Sequence, residues 1–140
     1  MNRDLSRLTA QEIEEYIKVE LTLTRFKLLV ESRRYIISKR NKNKEFIDAH
    51  NLDSQTIRET LLSLEIANYH DCLPHHRDAS KEVYIFGKHL KLEHGIIIPI
   101  YVKFVFEKDG SHHGLISVVI SFHEQERPLS TKFTDFKIKE

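Results

Sequence analysis

IIPIYVKFVF (residues 97–106) and GLISVVISFH (residues 114–123) decide the fold. Each is short, rich in β-branched and aromatic residues, and bounded by turn-forming residues, the pattern of a strand. Lys108-Asp109-Gly110-Ser111 lies between them, so the two read as one antiparallel hairpin. Side chains alternate across a strand. On the first strand Ile100, Val102, Phe104 and Phe106 share one face, with Tyr101, Lys103 and Val105 on the other. On the second, Ile116, Val118, Ile120 and Phe122 form an apolar face opposite Ser117, Val119, Ser121 and His123. If both apolar faces meet one core, Tyr101, Lys103, Ser121 and His123 look out together from the open side of the sheet. A slip of one residue would undo that coincidence.

Working outward, Lys81–Leu90 reads as a further strand, placed at an edge by Gly87 and its lysines. Phe133–Ile138 reads as a last short strand, and Asp71–Ser80, with Pro74, Arg77 and Asp78, as a loop. The first half is helical in character. Thr9 and Glu12 have the spacing of a capping box, and Ile13, Tyr16, Ile17 and Leu21 follow at helical spacing. A helix is predicted over about residues 10–20, while residues 21–30 settle on no period. Tyr35–Ser38 is a short strand-like stretch. A helix over about Asn43–His50 turns Phe46, Ile47 and Ala49 inward, with Asn51 at its end. Another starts after Asp53 or Ser54 and carries Ile57, Leu61 and Leu64. Helices first and strands after predict an α+β domain over residues 1–140, its helices packed on one face of a small antiparallel sheet. Residues 1–24 form an N-terminal helical extension in this reading, and residues 81–140 are mainly sheet.

The 140 residues suit one domain, and 40% hydrophobic against 31% charged residues is a globular mixture. The single cysteine, Cys72, has no internal disulfide partner, which fits a reducing compartment. No apolar run approaches the roughly 20 residues of a membrane span. Met1-Asn2-Arg3-Asp4 lacks the apolar stretch of a signal peptide, so a cytoplasmic protein without a membrane partner is expected.

Net charge is only +1, but its distribution is uneven. Residues 25–44 carry eight bases against one acid, Glu31, a local excess of +7. Residues 1–24 carry three bases and five acids. Such asymmetry suits a polyanion-facing segment; the plainer reading is a solvated surface.

Lysine, tyrosine and histidine on one open sheet face suit phosphodiester chemistry. Cleaving RNA without a metal uses the ribose 2′-hydroxyl as nucleophile. It needs a base, an acid for the leaving 5′-oxygen, and cations for the charge on phosphorus. Histidine can fill either proton-transfer role near neutral pH. A surface histidine with no role is the plainer reading of His123. His112-His113 would point to opposite faces of a strand. His75-His76 with Asp71, Asp78 and Cys72 could bind zinc, but no HExxH or CxxC supports it. Phe86-Gly87-Lys88 lacks the pattern of a phosphate loop and no GxGxxG occurs, so no cofactor is expected.

The segment Ser38-Lys39-Arg40-Asn41-Lys42-Asn43-Lys44-Glu45-Phe46 resembles a basic motif near the start of the MqsR-like toxins. Ile57–Leu64 is similar to the helix that follows it there, and Asn68-Tyr69 to the next element. Val83-Tyr84-Ile85-Phe86-Gly87-Lys88, Ile100-Tyr101-Val102-Lys103-Phe104 and Ile120-Ser121-Phe122-His123-Glu124, with Pro128-Leu129 after it, resemble the family's three strand motifs in the family's order. The resemblance spans roughly residues 35–130. It implies a RelE-like fold and a metal-free endoribonuclease that cleaves mRNA as the toxin of a bacterial toxin–antitoxin pair. A cognate antitoxin protein would neutralise it, and the ribosome is a further candidate partner. Carried over by position, His123, Tyr101, Lys103 and Lys88 are the implied catalytic residues. Arg40 and Lys42, with Lys44 and Ser121, are the implied RNA-binding ones. Two alternatives stand beside it: a non-catalytic RNA- or protein-binding module on the same fold, and a metal-dependent hydrolase built around His75, His76 and Asp78.

Overall fold

The computed structural model describes residues 8–110 and 114–133. Thr9 opens the first helix, α1 (Ala10–Glu31), as a capping box: its Oγ1 accepts from Glu12 N at 3.1 Å, and Glu12 Oε1 accepts from Thr9 N at 2.9 Å. The helix does not stop near Glu20 but runs 22 residues, straight through residue 24. Its buried stripe is Tyr16, Val19, Leu23, Phe26 and Val30. Of the expected stripe only Tyr16 is buried; the rest faces outward, with Ile13 38%, Ile17 52% and Leu21 67% exposed. Both sets obey helical spacing, but the buried one continues through residues 21–30 with Leu23, Phe26 and Val30 and so gives the longer contact with the sheet.

β1 (Tyr35–Ile37) follows, then α2 (Asn41–Ala49) and α3 (Ser54–Leu62). On α2 Phe46 is buried and Ile47 half-buried, whereas Ala49, expected inside, is exposed. Asn51 takes a positive φ of 54° just past the helix end, a conformation asparagine tolerates. Asp53 caps α3 by accepting from Thr56 N at 2.8 Å, and Ile57, Leu61 and Leu64 are buried as the spacing predicts.

β2 (Tyr69–Pro74), β3 (Glu82–Lys91), β4 (Ile97–Asp109) and β5 (Gly114–Glu124) complete a five-stranded sheet in the order β1-β5-β4-β3-β2. The α+β architecture is as predicted, with two corrections to the sheet. β1 pairs with β5 in parallel, so the sheet is mixed rather than antiparallel. β3 is not an edge strand, because part of the stretch read as loop, Asp71–Pro74, belongs to β2 and covers it. The expected strand at residues 133–138 lies outside the described residues beyond Phe133, which is buried against Tyr16 and Tyr69.

The core sits between the helices and one face of the sheet. Phe26 of α1 stacks on Phe104 of β4 with ring centroids 3.9 Å apart, and Phe46 of α2 packs on Phe122 of β5 at 6.1 Å. On β5 the alternation breaks. Lys103 pairs with Ser121 but Phe104 pairs with Val119, so Ile120 is an extra residue, a β-bulge. Phe122 keeps the core parity predicted for it. Beyond the bulge parity reverses: Ser117 and Val119, opposite Phe106 and Phe104, are the buried pair, and Ile116 and Val118 lie on the open face.

Candidate functional site

Above the bulge the predicted sharing of one face holds. Tyr101 pairs with His123 and Lys103 with Ser121, and all four line one cleft of about 370 Å³ on the open face. The rings of Tyr101 and His123 stack with centroids 5.4 Å apart and an 18° interplanar angle. His123 Nδ1 lies 2.9 Å from the carbonyl oxygen of Glu124. A carbonyl only accepts, so this contact is a hydrogen bond in the tautomer with the hydrogen on Nδ1, which leaves a lone pair on Nε2.

Arg40 and Lys42 form one wall. Their position follows from a side chain buried beneath them. β1 ends at Ile37, and Asn43 of α2 takes over its role along the edge of β5. Asn43 Nδ2 donates to Ser38 O at 2.9 Å and to Ile120 O at 3.0 Å, and its Oδ1 accepts from Phe122 N at 2.8 Å. The amide thus supplies the donor and acceptor that an adjacent strand would have offered and pins the first turn of α2 to the bulge. Arg40, the residue before that turn, reaches back to Ser121, with Nη1 3.4 Å from Oγ. Ser121 is itself buried, so its hydroxyl positions Arg40 rather than meeting solvent.

The other wall is the chain after β5. Gln125 is clamped to the start of β4, its N donating to Pro99 O at 2.8 Å and its Nε2 to Ile100 O at 3.0 Å. Leu129 N donates to Gln125 Oε1 at 3.2 Å, which brings Glu126, Arg127 and Leu129 to the rim. A glycine at 87 permits this close approach: a Cβ there would stand 3.0 Å from Gln125 Nε2 and 3.1 Å from Leu129 Cδ2. Lys42 Nζ and Glu126 Oε2 form a 2.5 Å ion pair between the two walls.

Burial shapes the protonation of the floor. Burial pushes the Tyr101 phenol above its ordinary pKa, opposed by Arg40 and helped by Glu126, so the group stays protonated and able to donate. Burial first, and Arg40 second, lower the Lys103 pKa. Hydrogen bonding to Lys42 holds the Glu126 carboxyl below the usual range, keeping it an anion.

The cleft does not collect every expected residue. Lys88 pairs with Ile100, a core-face residue, while its neighbour Gly87 pairs with Tyr101. Lys88 therefore has the wrong parity for the open face and lines an adjoining hollow with His89, Pro99 and Arg127. Lys44 is exposed on α2 and does not line the cleft. Nor does the basic run act as one patch. Arg34 donates to Leu115 O and pairs with Asp109, and Arg25 lies over the Phe106 ring. The site residues that sequence reasoning missed are Asn43, Glu126, Arg127 and Leu129. Only the Pro128-Leu129 motif hinted at that wall.

Among the described residues no three His, Cys, Asp or Glu side chains form a group that could hold a metal ion, and no helix is long and apolar enough to cross a membrane. The rings of His75 and His76 stack on each other at 4.9 Å. Compared with known protein families and with curated proteins, the chain finds no match.

Proposed function

We propose that this chain is a metal-free endoribonuclease that cleaves mRNA in the cytoplasm, the toxin of a toxin–antitoxin pair of the MqsR and RelE-like kind. One observation carries the reading: paired positions of a single hairpin bring a histidine, a phenol and a lysine into one cleft beside Arg40. These are the parts that 2′-hydroxyl attack requires. A base takes the 2′ proton as the 2′-oxygen bonds to phosphorus. The bond from phosphorus to the 5′-oxygen breaks, an acid protonates that oxygen, and a 2′,3′-cyclic phosphate remains. His123 Nε2 can take or return a proton. The half-buried Tyr101 phenol can donate one. Lys103 and Arg40 face the charge that gathers on the phosphoryl oxygens, where preorganised cations act most strongly. His123 and Tyr101 share one site, so their acid and base roles belong to the pair. The growth-inhibiting activity and its neutralisation by an antitoxin rest on the sequence resemblance alone.

The test is induced expression in a bacterial host, wild type beside His123→Ala, with growth followed and new 5′ ends mapped on cellular mRNA. Wild type is expected to arrest growth and cleave mRNA. The variant, at matched soluble level, should cleave roughly 10²–10⁴-fold more slowly, the usual loss of a proton-transfer group. Normal growth and intact mRNA with soluble wild type would instead favour a binding module on this fold.

A further inference from the structure

The cleft is not closed at its inner end. Arg40, Tyr101 and Lys103 also line a second hollow of about 650 Å³ that continues across β4, β3 and β2. Its floor is apolar, with Val83, Ile85 and Ile120. Its far end is the β2–β3 loop, which presents His75, His76 and Arg77. Among the described residues no acidic side chain lines this hollow.

The loop is built to a fixed shape. His75 N donates to Lys81 O at 2.9 Å and Lys81 N to Asp78 O at 3.0 Å. Arg77 N donates to His75 Nδ1 at 3.1 Å, which sets the imidazole plane. His76 stacks on that plane, 19° from parallel, with its own ring exposed. Asp78, the acid of the loop, accepts from Ser80 N and Ser80 Oγ within the loop. An aromatic step with an arginine beside it, over an apolar floor, offers the two things single-stranded nucleic acid needs: a stacking face for a base and a cation for a phosphate.

We propose that His76 and Arg77 form a distal nucleotide subsite, taking a base and a phosphate of the single RNA strand that runs from the catalytic cleft across the open sheet face. This rests on the nuclease reading above and adds the path and length of its substrate. From β5 to β2 is three strand spacings, about 14 Å. At about 3.4 Å per stacked nucleotide that is room for roughly four. Substrate recognition therefore extends beyond the scissile step, and the loop reads nucleotides on one side of it.

The experiment measures affinity of the full chain for 2′-O-methyl oligoribonucleotides, which cannot be cleaved, as a trinucleotide and a decanucleotide. Wild type should bind the decamer about tenfold or more tightly than the trimer. The double variant His76→Ala/Arg77→Ala, and separately Arg77→Glu, should weaken decamer binding at least about fivefold, the low end of one lost stacking contact, and leave trimer binding unchanged. Both residues are exposed loop positions, and the backbone bonds that shape the loop do not use their side chains. Decamer affinity unchanged in both variants overturns the subsite and leaves the nuclease reading standing. So does a wild type that binds both oligomers equally. A wild type that binds neither overturns the subsite and the RNA reading together.

Discussion

Replacing Asn43 with alanine tests the device that fixes the cleft. The side chain is 1% exposed and makes three hydrogen bonds to backbone groups of the β1 end and β5. Truncation leaves Phe122 N–H without an acceptor in a buried setting, a loss of about 1–3 kcal/mol. Ser38 O and Ile120 O each lose a donor, at smaller cost because under-satisfied carbonyls are better tolerated. Alanine returns about 0.5 kcal/mol of helix propensity. The net expectation is a destabilisation of about 2–3 kcal/mol. In urea denaturation followed by circular dichroism, with a slope of about 2 kcal/mol per M, the midpoint should fall on the order of 1 M while the slope is unchanged. Asn43→Asp sharpens the test. It keeps an acceptor for Phe122 N but turns a carboxylate toward two carbonyl oxygens, so it should be at least as destabilising as alanine at neutral pH. Should Asn43→Ala lose less than about 0.5 kcal/mol, the range of an ordinary surface change, the amide is not a stand-in for a strand and the account of the cleft wall fails.

Three further outcomes follow from particular contacts. Ser117 is fully buried by the parity reversal and its hydroxyl has no partner among the described residues, so Ser117→Ala should be neutral or stabilising by up to about 1 kcal/mol in the same denaturation assay; a clear loss of stability would count against the register below the bulge. The Cys72 thiol is pushed up to about 12 by burial and then by Glu82. A raised pKa means less thiolate, so at pH 8 alkylation by iodoacetamide should run on the order of 10³-fold slower than for a free cysteine, and faster again in Glu82→Gln; a rate like that of free cysteine contradicts this. Glu126→Gln releases Lys42 from its ion pair across the cleft. Affinity for a 2′-O-methyl oligoribonucleotide should rise roughly two- to fivefold at low salt, a gain that shrinks as salt screens it; no rise would mean the pair does not compete with the strand.

How much could be read from the chain depended on where the reading was anchored. The shared face of Tyr101, Lys103, Ser121 and His123 was legible because all four lie on the same side of the bulge as Phe122, where plain alternation holds. One residue further, Ile120 breaks it, and nothing local marks the break: an isoleucine among β-branched neighbours continues an apolar run equally well in or out of register. Hence plain alternation puts Ile116 and Val118 in the core and Ser117 on the open face, the reverse of what the register gives. Lys88 failed by the same one-residue step, since its face depends on whether Gly87 or Lys88 stands opposite Tyr101, a cross-strand fact that spacing within one strand does not contain. On α1 two stripes compete at equal helical spacing, and only the sheet selects between them. The far wall was hidden for another reason. Glu126, Arg127 and Leu129 reach the cleft because Gln125 folds the chain back onto Pro99 and Ile100, and that return needs the empty space over Gly87. A glycine inside a strand signals a close approach of some backbone or side chain. It does not say which, and here it is the approaching segment that turns an open sheet face into a walled cleft.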